Sequence, residues 1–559
     1  MTTENLSRYI VNPGPKAAVT GLKAACSSDS AIVTETILKV MADGGNAADA
    51  AIAGCLVQAA VEPFMTNHTG TVTFLYYEAA SGRTYQLDSV GTYPAGLPPF
   101  RPVPAMPHGY SIAPPSACIP GFMPGLKEIH GRFGTKRWDY LCEDAIRWAE
   151  EGHLVSTFEY HFNDYGLDFI TYFPEGRAFY MPTGYPPHVG ERFGSKAMAE
   201  TLRRVASEGP DYMITGGWAD KFVAKANEMG WKIKKADMTA TPPRWMEPLR
   251  FMHHEYEIVS LAPPQTQGIY CAMVLGILRH LGIRNVARGS AEHIFYMAHA
   301  MRYAQYHCGF SGDPQVVANY AIDTLLDDDF HKTAAKLIKG TVPKTDLSDH
   351  ARLAAGSGAA HAGVPTGANS TSKEPAGSCE LAIVDAHGNW VQMMNTLQGG
   401  GIPGAVIGGV PMIGAHARFS QVSGMISAVI APGARQRSVM GNTMVLMNGK
   451  PILSLGSPGN VHCTVPQVLT YLLDFDMDPY AAADAPRMLP LGEDCAVVIE
   501  DRISPEAIAG LARMGVTTRV TPPYDIPMGS FAMCFKDART GELGTTADPR
   551  RCGVADGLR

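Results

Sequence analysis

The segment from Lys344 to Gly377, KTDLSDHARLAAGSGAAHAGVPTGANSTSKEPAG, is built mainly from Gly, Ala, Ser, Thr and Pro and carries no apolar period. A stretch of that composition offers too little apolar surface to order itself, so it is expected to be exposed and mobile. At residue 378 the texture reverses. CELAIVD, the turn Ala386-His387-Gly388-Asn389 and WVQMMNT read as two buried strands of a hairpin. The fold must therefore begin a core strand directly at the end of an unstructured tract, with two potential nucleophiles, Ser378 and Cys379, at the junction.

The rest of the chain alternates strands and helices. Gly44-Gly45-Asn46 runs into AADAAIAGCLVQAAVE, whose small apolar residues predict a helix packed closely on all sides. FLYYEAASGRTYQLDS (74–89) reads as two strands around a Ser-Gly turn, and residues 120–230 carry several helical patterns, among them RWDYLCEDAIRWAEEG. Tyr270 to His280 and His293 to His307 predict two more helices. TMVLM, Asn448-Gly449 and KPILSLGS signal a second hairpin, because Asn-Gly suits a type I′ turn. A helix over TVPQVLTYLL, two more near YAAADAPR and SPEAIAGLARMG, and a last strand around FAMCFKD complete the pattern. Strand pairs interleaved with helices predict a layered α/β fold, an αββα sandwich of antiparallel sheets covered by helices.

Composition narrows the function. The 559 residues are 46% hydrophobic and 18% charged, with a formal charge of −7 and no block of like charge, so neither nucleic acid nor an anionic membrane is expected as a partner. MTTENLSRYIVNPG has no basic region followed by an apolar one, and a soluble cytoplasmic location is the default expectation. The eleven cysteines are scattered and never form C-x-x-C, which speaks against a disulfide framework or a structural zinc site. His253-His254 lacks a carboxylate or cysteine at ligand spacing in the sequence, so no metal and no cofactor is expected.

A nucleophile placed where a mobile tract meets a strand makes chemical sense if the backbone is cut there. The new α-amine, with an unperturbed pKa of roughly 7.7–8.0, then serves as general base for its own side-chain hydroxyl. Gly377-Ser378 suits such a cut: glycine lets the backbone strain, and the serine hydroxyl can attack the preceding carbonyl. A second feature is LGSPGN, a tight turn entering a helix, whose backbone N–H groups can converge on an oxyanion.

These motifs carry a resemblance. GNAADAAIA (45–53) after Gly44, Pro120-Gly121, APPQTQGIY (262–270), GDP (312–314), IVDAHGN (383–389), LGSPGN (455–460), DAPR (484–487) and ADPR (547–550) resemble, in order, the γ-glutamyltransferase (γ-glutamyltranspeptidase) family of N-terminal nucleophile hydrolases. The resemblance spans nearly the whole chain and implies that family's fold. It also implies a precursor cut into a large segment, 1–377, ending in the mobile tract from about 340, and a small segment, 378–559, intertwined in one αββα unit. The partners implied are these two chains of one precursor and a small-molecule amide, with assembly of several copies an open alternative. Aligned on Asp385, the family's nucleophilic threonine falls on Ser378 and its second threonine on Cys379, which is the alternative nucleophile. Thr396 aligns with a threonine that supports the nucleophile, while Gly459 and Asn460 fall on the two oxyanion-hole positions, where the family has two glycines.

The resemblance fails where the family reads glutamate. Its arginine position falls near Val90, and its acidic stretch becomes IGAHARF, with Ala415 and Arg418 in place of an amide or acid and an Asp. Its Asn becomes Gln398, and its Ser-Ser pair becomes Ser438-Val439. Arg418, Gln398 and Ser438 are the expected substrate contacts, helped by Arg435 or Arg437. A pocket without the Asp cannot pair the substrate ammonium, and without the Arg it loses a bidentate carboxylate partner. The expectation is hydrolysis of a small or acidic amide through a serine acyl-enzyme, rather than of glutathione. Two alternatives stay open: a true γ-glutamyl transferase with rebuilt contacts, and an uncut family member that only binds a ligand.

Overall fold

The computed structural model describes residues 6–96, 118–165, 167–308, 312–316, 322–340, 378–397, 400–402, 404–412, 431–490 and 496–559. Two seven-stranded antiparallel sheets lie face to face in it. Their strands are β1 (Val19–Leu22), β2 (Ala24–Ser28), β3 (Thr71–Glu78), β4 (Arg83–Ser89), β5 (Arg244–Met246), β6 (Leu249–His253), β7 (Tyr256–Ser260), β8 (Cys379–Val384), β9 (Trp390–Thr396), β10 (Thr443–Met447), β11 (Lys450–Gly456), β12 (Ala532–Lys536), β13 (Leu543–Ala547) and β14 (Val554–Leu558). The first sheet runs β14-β2-β8-β9-β3-β4-β5 and the second β1-β13-β12-β11-β10-β7-β6. Each sheet mixes strands from both sides of residue 378.

Helices cover both outer faces, as an αββα sandwich requires. On the first sheet lie α1 (Ala31–Ala42), α2 (Ala47–Val61), α3 (Phe122–Phe133) and α4 (Trp138–Glu151), packed on Leu381, Ile383, Val391 and Met393. Between the sheets Ala382, Val384, Trp390 and Met394 meet the face of the second sheet that carries Val259, Met444, Ala532 and Cys534. On the second sheet α5 (Gln267–Leu281) and α7 (Val461–Leu473) contribute Cys271, Leu275, Val465 and Leu469, with α6 (Ala291–Cys308) behind them. No helix among the described residues is long and apolar enough to cross a membrane.

The motifs turn out to be joints between these layers. Every residue of α2 is buried, which only its small side chains permit, and Asn46 caps it in a reciprocal pair with Asp49. Asp385, in the turn between β8 and β9, accepts from the Ala47 N–H at 2.9 Å, so the first turn of α2 is tied to that hairpin across 338 residues of chain. The Asn448-Gly449 turn has φ of 52° and 74°, both left-handed as a type I′ turn demands.

Ala532–Lys536 is not the last strand, because β13 and β14 follow it. GELGTTA and GVADGL are rich in glycine and small residues with little intrinsic strand preference, and their pairing with β12 and β2 supplies what propensity does not. The strands at 19–28 and 244–260 also went unread in the sequence. Gly377 and the tract before it, Gln398, Ala415 and Arg418 lie outside the described residues.

Candidate active site

Ser378 stands at the first position before β8, and its Oγ donates to Thr396 Oγ1 at 3.1 Å. Thr396 closes β9 and shares the parity of Met394, whose side chain lies between the sheets. The Ser378 hydroxyl is therefore turned to the inter-sheet side. Strand alternation sends the next residue the other way. Cys379 lies with Phe64, Met65, Phe158 and Phe162 on the helix side, its Sγ 3.7 Å from Glu62 Oε2. Burial, followed by the charges of Glu62 and Asp29, pushes its thiol well above the ordinary range. A thiol that is fully buried and held protonated is a poor nucleophile, so of the two adjacent groups the geometry favours the serine.

The LGSPGN turn sits on the serine's face. A Cβ on Gly456, the last residue of β11, would lie 1.9 Å from Glu380 Oε1, so only glycine lets that strand end pass over the residue two beyond Ser378. Gly459 then adopts φ 93°, and Asn460 caps α7 while its side chain donates to the Pro527 carbonyl. Asn460 is thus fixed by its side chain, which leaves its backbone to shape the turn. Glu380 accepts from Gln392 Nε2 at 2.7 Å and is held protonated well above the usual carboxylate range, chiefly by burial.

Three groups beside the serine were not read from the sequence. Arg551, buried, donates from Nη1 to the Ser378 carbonyl at 2.9 Å and lies 3.9 Å from Asp29 Oδ2. Asp29 in turn accepts from the Glu380 N–H at 3.2 Å. Glu62, at the end of α2, faces Cys379. Burial raises both carboxyls, Asp29 to about 6 against the pull of Arg551, and Glu62 to about 8 with the charge of Asp29 adding to burial. A cavity of about 40 Å³ lies behind them, lined by Asp29, Glu62, Phe64, His153, Phe158 and Glu159 among others. The only signal available was that Arg551 directly follows the ADPR motif. In that motif Arg550 is bidentate on buried Glu500, at 2.7 and 2.8 Å, and Asp548 pairs with Arg487 of DAPR.

A raised carboxyl leaves a mark on stability. Glu62 is neutral in the fold up to about pH 8, whereas in the unfolded chain it ionises near 4.5, so its contribution is complete below pH 4.5 and is lost as pH rises toward 8. Glu62→Gln, which cannot ionise, should flatten that decline by a few kcal/mol between pH 5 and pH 8, at about 1.4 kcal/mol per pKa unit. Urea unfolding of both proteins at the two pH values measures it; parallel declines would mean that Glu62 is ionised in the fold.

Of the expected substrate contacts, Ser438 is buried, and its carbonyl accepts from the Thr266 N–H at 3.2 Å. Val90 is buried at the end of β4. The segment that carries Arg435 and Arg437 runs directly alongside, with the Gln436 N–H donating to the Gly91 carbonyl at 2.8 Å and the Tyr93 N–H to the Ala434 carbonyl at 2.9 Å. Arg435 is engaged with Asp313 through its N–H at 2.9 Å. Arg437 is buried, donates from Nη2 to the Cys308 carbonyl at 3.1 Å, and has no carboxylate partner among the described residues. Burial and the Arg437 charge push His462, in the first turn of α7, down to about 3.

The chain is similar to known proteins along nearly its whole length. The chain is 28% identical over 573 residues to the glutathione hydrolase proenzyme of Pseudomonas aeruginosa, covering 96% of this chain and 94% of that one. It is 25% identical over 536 residues to the acylase ACY 1 proenzyme of Pseudomonas sp. (strain SE83), covering 93% and 91%. In structure it superposes on cephalosporin acylase from Bacillus halodurans with a TM-score of 0.81 over 98% of both chains at 21% identity, which identifies the fold as that of the N-terminal nucleophile hydrolases. Because residues 33–558 match the gamma-glutamyltranspeptidase family model, nearly the whole length of the chain, it belongs to the gamma-glutamyltranspeptidase family of amide hydrolases and transferases.

Proposed function

We propose that the chain is a precursor that cuts itself between Gly377 and Ser378 into segments of 377 and 182 residues and then hydrolyses a small or acidic amide. The observation that carries this reading is the Ser378–Thr396 hydrogen bond at 3.1 Å, on the face shared with the LGSPGN turn, while Cys379 is turned away. In maturation the Ser378 hydroxyl attacks the Gly377 carbonyl, the C–N bond breaks to free the Ser378 α-amine as an ester forms, and water hydrolyses the ester to release the Gly377 carboxylate and restore the hydroxyl. In turnover that amine takes the hydroxyl proton as Oγ adds to the substrate carbonyl. Thr396 orients Oγ, and the backbone N–H groups of Gly459 and Asn460 receive the oxyanion. The amine returns the proton to the leaving nitrogen, and water releases the acyl group from the serine ester.

Two things support an acidic acyl group over glutamate. The positions that would pair a substrate ammonium are changed in the sequence, and Arg437, on the segment whose Gln436 N–H pairs with Gly91 next to Val90, carries a buried guanidinium with no carboxylate partner among the described residues. Relatives named as acylase and as glutathione hydrolase proenzymes bracket the chemistry.

Intact mass under denaturing conditions tests the reading. Two fragments that sum to the precursor, the smaller beginning at Ser378, are expected; a single intact chain overturns it. The acyl preference has its own test in anilides that carry a dicarboxylic, a neutral or a γ-glutamyl acyl group. Arg437→Met should raise KM about 10- to 100-fold for the dicarboxylic substrate, the worth of one hydrogen bond to a charge, and leave the neutral one within a factor of about 2. Equal losses on both would place Arg437 in packing rather than recognition. Preferred turnover of the γ-glutamyl anilide, stimulated by an amino-acid acceptor, would favour a transferase instead.

A further inference from the structure

The hairpin of β6 and β7 turns through His254 and Glu255, between the paired residues His253 and Tyr256. His254 has φ 54°, a left-handed conformation that favours glycine and that a side chain enters only at a cost. Its imidazole is aimed inward from that turn. His254 Nε2 lies 3.0 Å from Asp474 Oδ1, and His253 Nε2 lies 3.0 Å from Oδ2 and 3.2 Å from Oδ1 of the same carboxylate. The three ligand atoms all fall within 4.8 Å of one another. A tetrahedral ion with bonds of about 2.0–2.1 Å holds its ligand atoms about 3.3 Å apart, so the measured imidazole–carboxylate separations already match two edges of that tetrahedron.

The electrostatics ask for positive charge here. Asp474 is the C-cap of α7, and its side chain is fully buried at the negative end of the helix. One fixed cation answers it: Arg284 Nε lies 3.4 Å from Asp474 Oδ1, and its Nη2 donates to the Leu473 carbonyl at 2.8 Å. Arg284 would repel an ion, but its Nη2 is engaged by the Leu473 carbonyl, and Glu255, 3.9 Å from that Nη2, offsets part of its charge.

We propose that His253, His254 and Asp474 form a site for a divalent transition-metal ion of the zinc class, two imidazole nitrogens and one carboxylate oxygen with water in the fourth position. His253 and Asp474 are buried, and His254, with its side chain 21% exposed, forms the entry. The site clamps edge strand β6 of the second sheet to the C-terminus of α7. Its thirteen residues put the oxyanion turn at the other end of that helix, about 20 Å away. The ion's role is therefore structural and separate from catalysis. The sequence hid the site because Asp474 is more than 200 positions from the histidine pair, so no ligand spacing can announce it.

Tag-free protein stripped with chelator and titrated with ZnCl2 by calorimetry should bind one ion per chain and gain thermal stability, and CoCl2 in its place should give the intense visible bands of a tetrahedral site. His254→Gly is the discriminating variant, because glycine suits φ 54° and the stripped fold should keep or gain stability. It should lose zinc affinity by about 100-fold and lose the zinc-dependent thermal shift. Asp474→Asn should lose both as well. Absence of a one-to-one binding event, or binding unchanged in both variants, overturns the site and leaves a hydrogen-bonded cluster of His253, His254 and Asp474.

Discussion

Ser378→Ala should purify as one uncut chain with amide hydrolysis reduced by about 10⁶-fold, the scale on which removing a nucleophile acts in hydrolases of this kind. Both losses have one cause. Without the hydroxyl there is no attack on the Gly377 carbonyl, and without the cut there is no α-amine to act as base. Cys379→Ser separates the serine from its neighbour: the thiol is buried on the helix side, so this variant should mature fully and keep activity within about tenfold, its cost being a small polar group among Phe64, Phe158 and Phe162. Thr396→Val keeps the shape and removes the 3.1 Å partner of Oγ, and should slow maturation and turnover together by roughly 10²-fold, the contribution of a positioned proton-handling group. Intact mass and anilide hydrolysis read all three. A cut Ser378→Ala chain, or an uncut Cys379→Ser chain, would transfer the role to the cysteine and overturn the assignment.

Why the serine and the cysteine were separable only in the structure is a matter of burial. Alternation normally tells which face a strand residue takes, but β8 is covered on both sides and is apolar on both apart from Glu380, so CELAIV carries little parity signal. Local patterns fared better: the all-buried helix at 47–61 follows from its small residues, and the hairpin at 443–456 from Asn-Gly. What could not be read were contacts over long stretches of chain. Arg551 reaches Ser378 across 173 positions and His253 reaches Asp474 across 221, and neither pair has a spacing that a single sequence marks. The strands at 543–558 were missed for the opposite reason: their glycines lower local propensity, and tertiary pairing overrides it.

Arg551→Leu tests the least legible of these contacts and should be the most damaging change outside the nucleophile. Arg551 is 1% exposed, donates to the Ser378 carbonyl at 2.9 Å and faces Asp29 at 3.9 Å. Leucine fills much of the volume but leaves a buried carbonyl and a buried carboxyl without their partner, a loss of about 3–5 kcal/mol for a broken buried pair. The Asp29 acid, already raised to about 6 by burial, then loses the charge that pulls it down, so the destabilisation should deepen as pH climbs above 6 and ease below it. Asp29→Asn in the same chain removes the stranded charge, and the double variant should recover about 1–3 kcal/mol relative to Arg551→Leu. Arg551→Lys, with the charge but a shorter reach, should fall between. The readouts separate positioning from packing. Urea unfolding reports the loss of stability, while the rate at which fresh precursor is cut reports the hold on Ser378. If the double variant regains stability yet still matures slowly, Arg551 sets the register of the nucleophile; if stability and maturation recover together, its role is to neutralise Asp29.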